Sequence, residues 1–555
     1  MSYFRTLLLI LFAAFPLGAQ QARIPPRAVV NAASFARPGL PNGSLARGSI
    51  FTIFGSRIGP DASLSATEFP LSTSLSGVQI TVSQGDTSVD AIPLFVSAGQ
   101  INAILPSDAP LGRVSIVVRN GTRRSNPAPA VVVPASLGLF TVIGAGSGPA
   151  VVQNFVSQTE LPINSLDAPA APGQTLIVYG TGLGAASFAD NEAAQQGNIG
   201  ARVEVFVGGT ELPSANVLYW GRSPCCAGLD QIVIRLPQTA PSGCYVPLRV
   251  RAGEVISNTV TLAIAPAGQS CSDPHNALST ALRTSGDYGA VYISSVALEA
   301  AVDFPAPPTA TMDVLAASFR RDGGGSFYFN PLVSLPPPGA CQVFSGSGDF
   351  RGGAFGLAGA APTGGSLDAG PSLRLSGPGG TRNVGFQDLS AVNYLAGLGG
   401  SFPASTPRLY LSPGAHTLSS AGGADVGAFE SSFDLPPPLT WANRAEVGVV
   451  ERSTGLELAW SGAQNGVIAL AGNYDLATDS FAAALCVASG ASGSLTIPSD
   501  ALAALPPSSA RPFGSQGAVA LWSYSSEPSG VISAPGLDAG FVIARSAVAK
   551  TVIFK

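Results

Sequence analysis

The chain has 555 residues, a formal charge of −5 and only 11% charged residues; that length exceeds what one hydrophobic core organises, so several domains are expected. Gly and Pro are abundant at 66 and 46 residues, yet hydrophobic residues still make up 46%, which excludes a low-complexity or disordered chain and points to short strands between turns. With lysine only at Lys550 and Lys555 and the arginines scattered, no basic stripe is evident that could neutralise phosphates, so nucleic acid is not an expected partner.

The chain opens on a leader. MSYFRTLLLILFAAFPLGAQQ carries one cation at Arg5, an apolar run from Leu7 to Phe15 and a small-residue ending at Leu17-Gly18-Ala19, the pattern of a secretory signal peptide over residues 1–19 cleaved after Ala19. The run is shorter than the roughly 20 residues a spanning helix needs, and Gln20 stands where a lipoprotein would need Cys. The expectation is a secreted or cell-surface protein that is not integral to a membrane. The short, proline-studded strands also argue against an outer-membrane barrel.

Next comes a phrase written twice. GSIFTIFGSRIG (Gly48–Gly59) returns as GQTLIVYGTGLG (Gly173–Gly184), and five further matches follow in the same order: GQINAILP with DQIVIRLP, APLG with APSG, RNG with RAG, Ser125-Asn126 with Ser257-Asn258, and VVVP with AIAP. The offset grows from 125 to 132, as loops absorb insertions between fixed strands. A duplicated domain is implied, one copy over residues 27–135 and the other over 136–266. In the first copy SIFTIFG, GVQITVS, QINAILP, RVSIVVRNG and APAVVVP read as strands, with the spacing of a β-sandwich.

The second copy of the phrase also satisfies the loose G-x-G-x-x-[GA] fingerprint through Gly180, Gly182 and Ala185. Its counterpart has Arg57 where Gly182 stands and Pro60 soon after, and the following segment is another strand, so a tight inter-strand turn is the expectation and a dinucleotide loop is not.

A strand ending in Gly-x-x-[IL]-G, a QI strand, an AP-x-G turn and a final SN strand together resemble the immunoglobulin-like IPT/TIG fold. More narrowly, VVNAASFARPGLPNGSLARGSIFTIFG with FVSAGQINAILP is similar to repeated modules of uncharacterised secreted acidobacterial proteins. The resemblance covers about residues 27–266 and implies fold and export, with no catalytic residues. It departs from that family in placing the module pair at the start of the mature chain.

PAGQSCSDP then reads as a linker, close to four of six cysteines: Cys225, Cys226, Cys244, Cys271, Cys341 and Cys486. In an exported chain an even set implies disulfides. Adjacent Cys225 and Cys226 on a strand would point to opposite faces, so the expectation is that one joins Cys244 and the other Cys271, with Cys341 bonded to Cys486. A zinc cluster lacks the usual paired spacing.

Residues 267–555 continue in strand idiom (GAVYISSVAL, GSFYFNPLV, PRLYLSPG, DVGAFESSFDL, AEVGVVERSTGLELAW, GVIALAG, GAVALWSY) as one large or two small sandwich-like units. The glycine-rich Gly346–Gly380 reads as loop and DALAALP as a helical turn. The expected fold class is therefore all-β: two tandem immunoglobulin-like sandwiches and a larger β-rich C-terminal region. No G-x-S-x-G elbow is present, and a Ser/His/Asp triad could draw only on His275 or His416, both read as surface imidazoles.

Asp425, Glu430, Asp434, Glu446, Glu451 and Glu457 could supply a glycosidase pair, and Asp475, Asp479 and Asp425 could offer oxygen ligands to calcium. Outward solvated acids and plain turn chemistry are nevertheless the expected reading of both sets. Trp441, Trp460 and Trp522 are candidate ligand-contact aromatics, or else core. The expected role is non-enzymatic: adhesion, surface architecture or polysaccharide binding, with a cell-surface protein or polysaccharide as partner. The alternative is an exported carbohydrate-active enzyme with its site in 267–555.

Overall fold

A computed structural model describes residues 21–555 except 194, 285, 300–308, 322–323, 332, 347–364, 388–391, 401–408, 464, 476, 479, 509–514 and 526. The expected signal peptide, residues 1–19, therefore lies outside the described residues.

The alternation in the first copy becomes a closed sandwich. Val29–Asn31, Ile50–Phe54 and Gln100–Ile104 form one side, while Val78–Gln84, Gly112–Asn120 and Ala128–Val133 form the other. A ten-residue strand that the alternation did not reveal, Thr87–Val96, belongs to both sides: its first half pairs with Val78–Gln84, and its second half, past an irregularity at Pro93, pairs with Gln100–Ile104. Phe51, Ile53, Ile80, Val82, Ile101, Ile116 and Val118 close the core between them, and Ala22 and Ile24 extend it upstream of residue 27.

The second copy repeats the plan as two sheets. Thr175–Thr181 and Asp230–Arg235 are central to one, and Val203–Val207 pairs with Gly243–Ala252 in the other. Leu176, Val178, Ile232, Ile234, Val246, Leu248 and Leu262 pack between them.

In the C-terminal region one ten-stranded sheet runs throughout, in the order Cys341–Gly346, Ser480–Ser489, Gly466–Asp475, Ser515–Tyr524, Ala539–Phe554, Asp287–Glu299, Thr309–Arg321, Tyr394–Gly399 along its main path. A three-stranded sheet (Thr440–Trp441, Leu456–Ser461, Ser494–Ile497) covers part of one face, and a four-stranded sheet built from Ser372–Gly377, Gly380–Gly385, Gly414–Ser420 and Phe429–Leu435 shares a core with another part. Because the central strands are covered on both faces, SFAAALCVAS in Ser480–Ser489 is apolar almost without alternation.

Three expectations change here. Of the glycine-rich interval, 347–364 lies outside the described residues, but Ser372–Gly377 is a strand whose Leu373 and Leu375 are fully buried. The described residues of GSFYFNPLV form no strand, and of PRLYLSPG the described part is irregular chain up to Gly414, where a strand begins. The linker is no loose tether: it leads directly into the helix Ala277–Thr284, and Cys271 fastens it to the Gly243–Ala252 strand.

The cysteines pair as Cys225–Cys226, Cys244–Cys271 and Cys341–Cys486, leaving none free. The expected outward bridges from Cys225 and Cys226 are therefore wrong. These two residues sit in the turn after Val217–Arg222 rather than within a strand, so the argument from opposite faces does not apply, and Cys244 and Cys271 are left to each other. Cys341 and Cys486 are direct cross-strand neighbours at the edge of the ten-stranded sheet.

Candidate functional site

Where the two copies meet, the repeated phrases touch. Thr175–Thr181 ends in the turn Gly180-Thr181-Gly182-Leu183-Gly184, and the sandwich places Asp230 beside Gly180 and directly across from Arg222. The Asp230 carboxylate accepts the backbone N–H groups of Gly182 (2.6 Å) and Leu183 (2.7 Å) and pairs with the Arg222 guanidinium. Gly182 has φ +117°, and a Cβ there would collide with the carbonyl of Ser136. The turn that mimics a dinucleotide loop thus does cradle an anion through its amides, but the anion is the chain's own aspartate.

Arg222 then reaches out of its own domain. Its second Nη donates to the carbonyls of Gly184 and of Gly48 in the first sandwich, each at 2.8 Å. Gly48 opens the first copy of the phrase; it has φ +69°, and a side chain there would occupy the space of the guanidinium. Around this contact the Thr181 hydroxyl donates to Gly228 O (2.8 Å) and accepts Ile50 N–H (2.8 Å), and Asn31 Nδ2 donates to Thr181 O (3.0 Å). Beside it, Ser107 donates its backbone N–H (2.6 Å) and its hydroxyl (2.8 Å) to Asp190.

Asp230 is 0% exposed and Arg222 3%. Complete burial pushes the Asp230 carboxyl above the usual carboxylate range, against the pull of the Arg222 guanidinium and the Leu183 and Gly182 amides. Nothing in solution reaches this group, so the arrangement fastens two domains and offers no surface to a substrate.

A second buried pair fastens the next junction. Arg249, on the Gly243–Ala252 strand, holds Asp500 of the Ser499–Ala503 helical turn through Nε (2.9 Å) and Nη2, and donates through Nη1 to Cys341 O (2.7 Å). Ala36 and Leu40 of the first sandwich also pack into the C-terminal core. Sequence reading missed all four charged residues of these junctions, although one signal was present: Asp230 stands where the aligned first copy has Gly99.

The residues expected to carry chemistry lie elsewhere and apart. Trp441 and Trp460 are cross-strand neighbours buried in one core, with their indole N–H groups on Asn443 Oδ1 (2.9 Å) and Gly490 O (3.2 Å); Trp522 is buried in another. They are core residues and not ligand-contact aromatics: Trp441 and Trp460, on the three-stranded sheet, turn into the core it shares with the ten-stranded sheet, and Trp522 packs on the other face of the ten-stranded sheet with Leu335 and Phe344.

His275 is exposed, but His416 is not the surface imidazole expected: it is 2% exposed, stacked on Phe433, its register partner, with Nδ1 donating to Gly414 O (2.8 Å). Asp425, Glu430, Asp434, Glu446, Glu451 and Glu457 are all exposed. Glu430 and Asp434 face outward four residues apart on one strand, a separation of about 13 Å that exceeds the window a glycosidase pair requires.

Asp475 accepts the N–H groups of Ala477 (2.8 Å) and Thr478 (3.2 Å) within its own turn, while Asp479 lies outside the described residues. Asp425 accepts Asp368 N–H (2.8 Å), and Asp368 in turn accepts Gly370 N–H (2.8 Å) and Ala424 N–H (3.1 Å). Among the described residues no group of three or more His, Cys, Asp or Glu is placed to hold a metal.

The Gly370 and Ala424 amides hold the Asp368 carboxyl below its ordinary range, and the Asp287 and Gly286 amides do the same for Asp538. A depressed carboxyl contributes stability above the unfolded-state value near 4 that is lost as pH falls through the lower folded value. The thermal midpoint of the chain should therefore fall on acidification below about pH 4, and in Asp538→Asn that decline should be shallower. An unchanged slope of midpoint against pH would refute the assignment.

No protein-family model matches the chain, and no curated protein matches it. Among solved structures it is similar to the plexin A4 extracellular region (13% identity, 42% of this chain and 17% of that one, TM-score 0.16) and to domains 5–6 of the S-layer protein SbsC (14%, 44% and 98%, 0.16). SGBP-B from a complex xyloglucan utilization locus in Bacteroides uniformis matches at 10% identity over 93% of this chain and 99% of that one, with TM-score 0.16. Superpositions this loose carry no argument about function. What the strands, sheets and cysteines establish is an all-β, multi-domain, disulfide-bonded protein with two immunoglobulin-like sandwiches ahead of a larger β region. No helix among the described residues is long and apolar enough to cross a membrane.

Proposed function

We propose that the chain is an exported, non-enzymatic scaffold that works outside the cell in adhesion, surface architecture or polysaccharide binding, with N-terminal modules of the IPT/TIG type found in secreted acidobacterial proteins. The observation that carries this reading is the buried charge at both junctions, Arg222–Asp230 with Gly48 and Arg249–Asp500 with Cys341. Domains that only tether an enzyme to a surface need no buried seam, and relative motion is their default. Fully paired cysteines suit an oxidising compartment, and Glu430 and Asp434, both exposed, stand too far apart along their strand to act as a pair on one bond.

The test uses the mature full chain on a polysaccharide panel. Retention on polymer without release of reducing ends is the expected result. Release of reducing ends that disappears in Glu430→Gln, or in a substitution of another of the six acids, would overturn the reading in favour of a carbohydrate-active enzyme.

A further inference from the structure

The net charge conceals a segregation. Residues 21–135 carry nine arginines against five carboxylates, whereas residues 136–555 carry 18 cations against 28 carboxylates. Much of the excess gathers at one end of the first sandwich. In the hairpin formed by Gly112–Asn120 and Arg123–Arg124, Arg119 and Arg124 are direct cross-strand partners, which brings their Cβ atoms to about 5 Å and sets like charges face to face at a cost in stability.

Asn120 Nδ2 donates to Gly59 O (2.9 Å) and Arg57 O (3.4 Å), tying that hairpin to the turn that carries Arg57. The backbone bridge between Arg23 and Ser56, 2.9 Å in both directions, adds Arg23. Arg57 is held at φ +57°, where the second copy has Gly182; a non-glycine residue is uncommon there. Among the described residues the side chains of Arg23, Arg57, Arg119 and Arg124 are exposed and make no ion pair or hydrogen bond.

The second copy shows how the same hairpin looks when it is neutralised. Arg251, in the place of Arg119, lies across from Glu204 and bonds it at 3.3 Å, and its hairpin partner is Ile256. In the first copy the carboxylate is replaced by Gln79 and the isoleucine by Arg124. The first copy thus lacks the acid and carries an added cation on the same scaffold, and among the described residues no ion pair compensates for the difference.

Next to the cluster a cavity of about 1030 Å³ opens between Arg23, Pro25, Arg57, Asn126 and Pro129, with no aromatic side chain in its lining. Bases would lack a stacking platform there, whereas guanidinium forks match carboxylate or sulfate oxygens directly. We propose that this end of the first sandwich, formed by Arg23, Arg57, Arg119 and Arg124, docks an acidic polysaccharide. The proposal rests on the extracellular scaffold reading and supplies its ligand class.

The mature full chain is tested for binding to polygalacturonate, dextran sulfate, neutral dextran and single-stranded DNA. Binding to one or both acidic polysaccharides is expected to exceed binding to dextran and to weaken steadily with added salt, the preferred polymer identifying carboxylate or sulfate as the recognised anion. Arg119→Gln/Arg124→Gln should weaken it about tenfold with a thermal midpoint no lower than that of the parent chain. Arg202→Gln, which removes an exposed arginine of the second sandwich, should leave it unchanged. Equal affinity for dextran, no loss in the double variant, or tighter binding to DNA than to either acidic polysaccharide would each overturn the proposal. Those outcomes leave the scaffold reading intact, since that one is judged by turnover.

Discussion

Asp230→Asn should lower the unfolding free energy by about 3–5 kcal/mol, because it leaves the Arg222 guanidinium buried without its counter-charge. Many buried ion pairs can be exchanged for apolar residues at little cost. This one differs, since each partner also serves backbone groups: Asp230 accepts from Gly182 and Leu183, and Arg222 donates to Gly48 and Gly184. Arg222→Met/Asp230→Leu removes both charges but strands two buried N–H groups and two buried carbonyls. The double variant is therefore expected to recover only part of the loss, and a double-mutant cycle in denaturant measures how much. Residue-level hydrogen exchange adds a second reading, with protection falling at Gly182 and Leu183 in Asp230→Asn. A double variant as stable as the parent chain would show that the backbone bonds contribute nothing beyond the ion pair.

The duplicated sandwich was legible in the sequence because its signals are local. Alternation in SIFTIFG and TLIVYGT, glycines at fixed turns and the collinear QI, AP-x-G and SN matches need only neighbouring residues to be interpreted. What joined the domains was not legible, since Arg222 and Gly48 are separated by 174 residues and nothing in either segment announces the other. Comparing the copies for their differences, rather than their matches, held the missing information. Asp230 against Gly99, and Gln79 with Arg124 against Glu204 with Ile256, mark the junction and the basic end of the first sandwich.

The net charge misled for a related reason: averaging over 555 residues cancels a basic module against an acidic remainder. In the C-terminal region the strands were hard to read because a sheet covered on both faces loses the period of two. Ser480–Ser489, SFAAALCVAS, accordingly shows almost no alternation to mark it as a strand. Residue type alone does not tell an inward from an outward position for His416 and the tryptophans: His416, Trp441 and Trp460 sit on the smaller sheets and turn inward, and Trp522 is buried on the opposite face of the large sheet.

Cys341→Ala/Cys486→Ala should cost about 5 kcal/mol, the loop-closure entropy of a chain of this span, because the bond closes 145 residues and both ends lie wholly inside the core. The other two bonds provide the comparison. Cys244–Cys271 closes 27 residues, for which the same relation gives about 3.5 kcal/mol. Cys225–Cys226 joins adjacent residues in an exposed turn and closes no loop, so its removal should change stability by less than about 1 kcal/mol. Denaturant midpoints of the three double variants should fall in that order. The first should also loosen the junction with the second sandwich, because the carbonyl that receives Arg249 belongs to Cys341; exchange protection should drop along Gly243–Ala252 as well as along Cys341–Gly346. If removing Cys225–Cys226 proved as costly as removing Cys341–Cys486, loop closure would not be what these bonds contribute, and local packing at the hairpin would have to carry the effect.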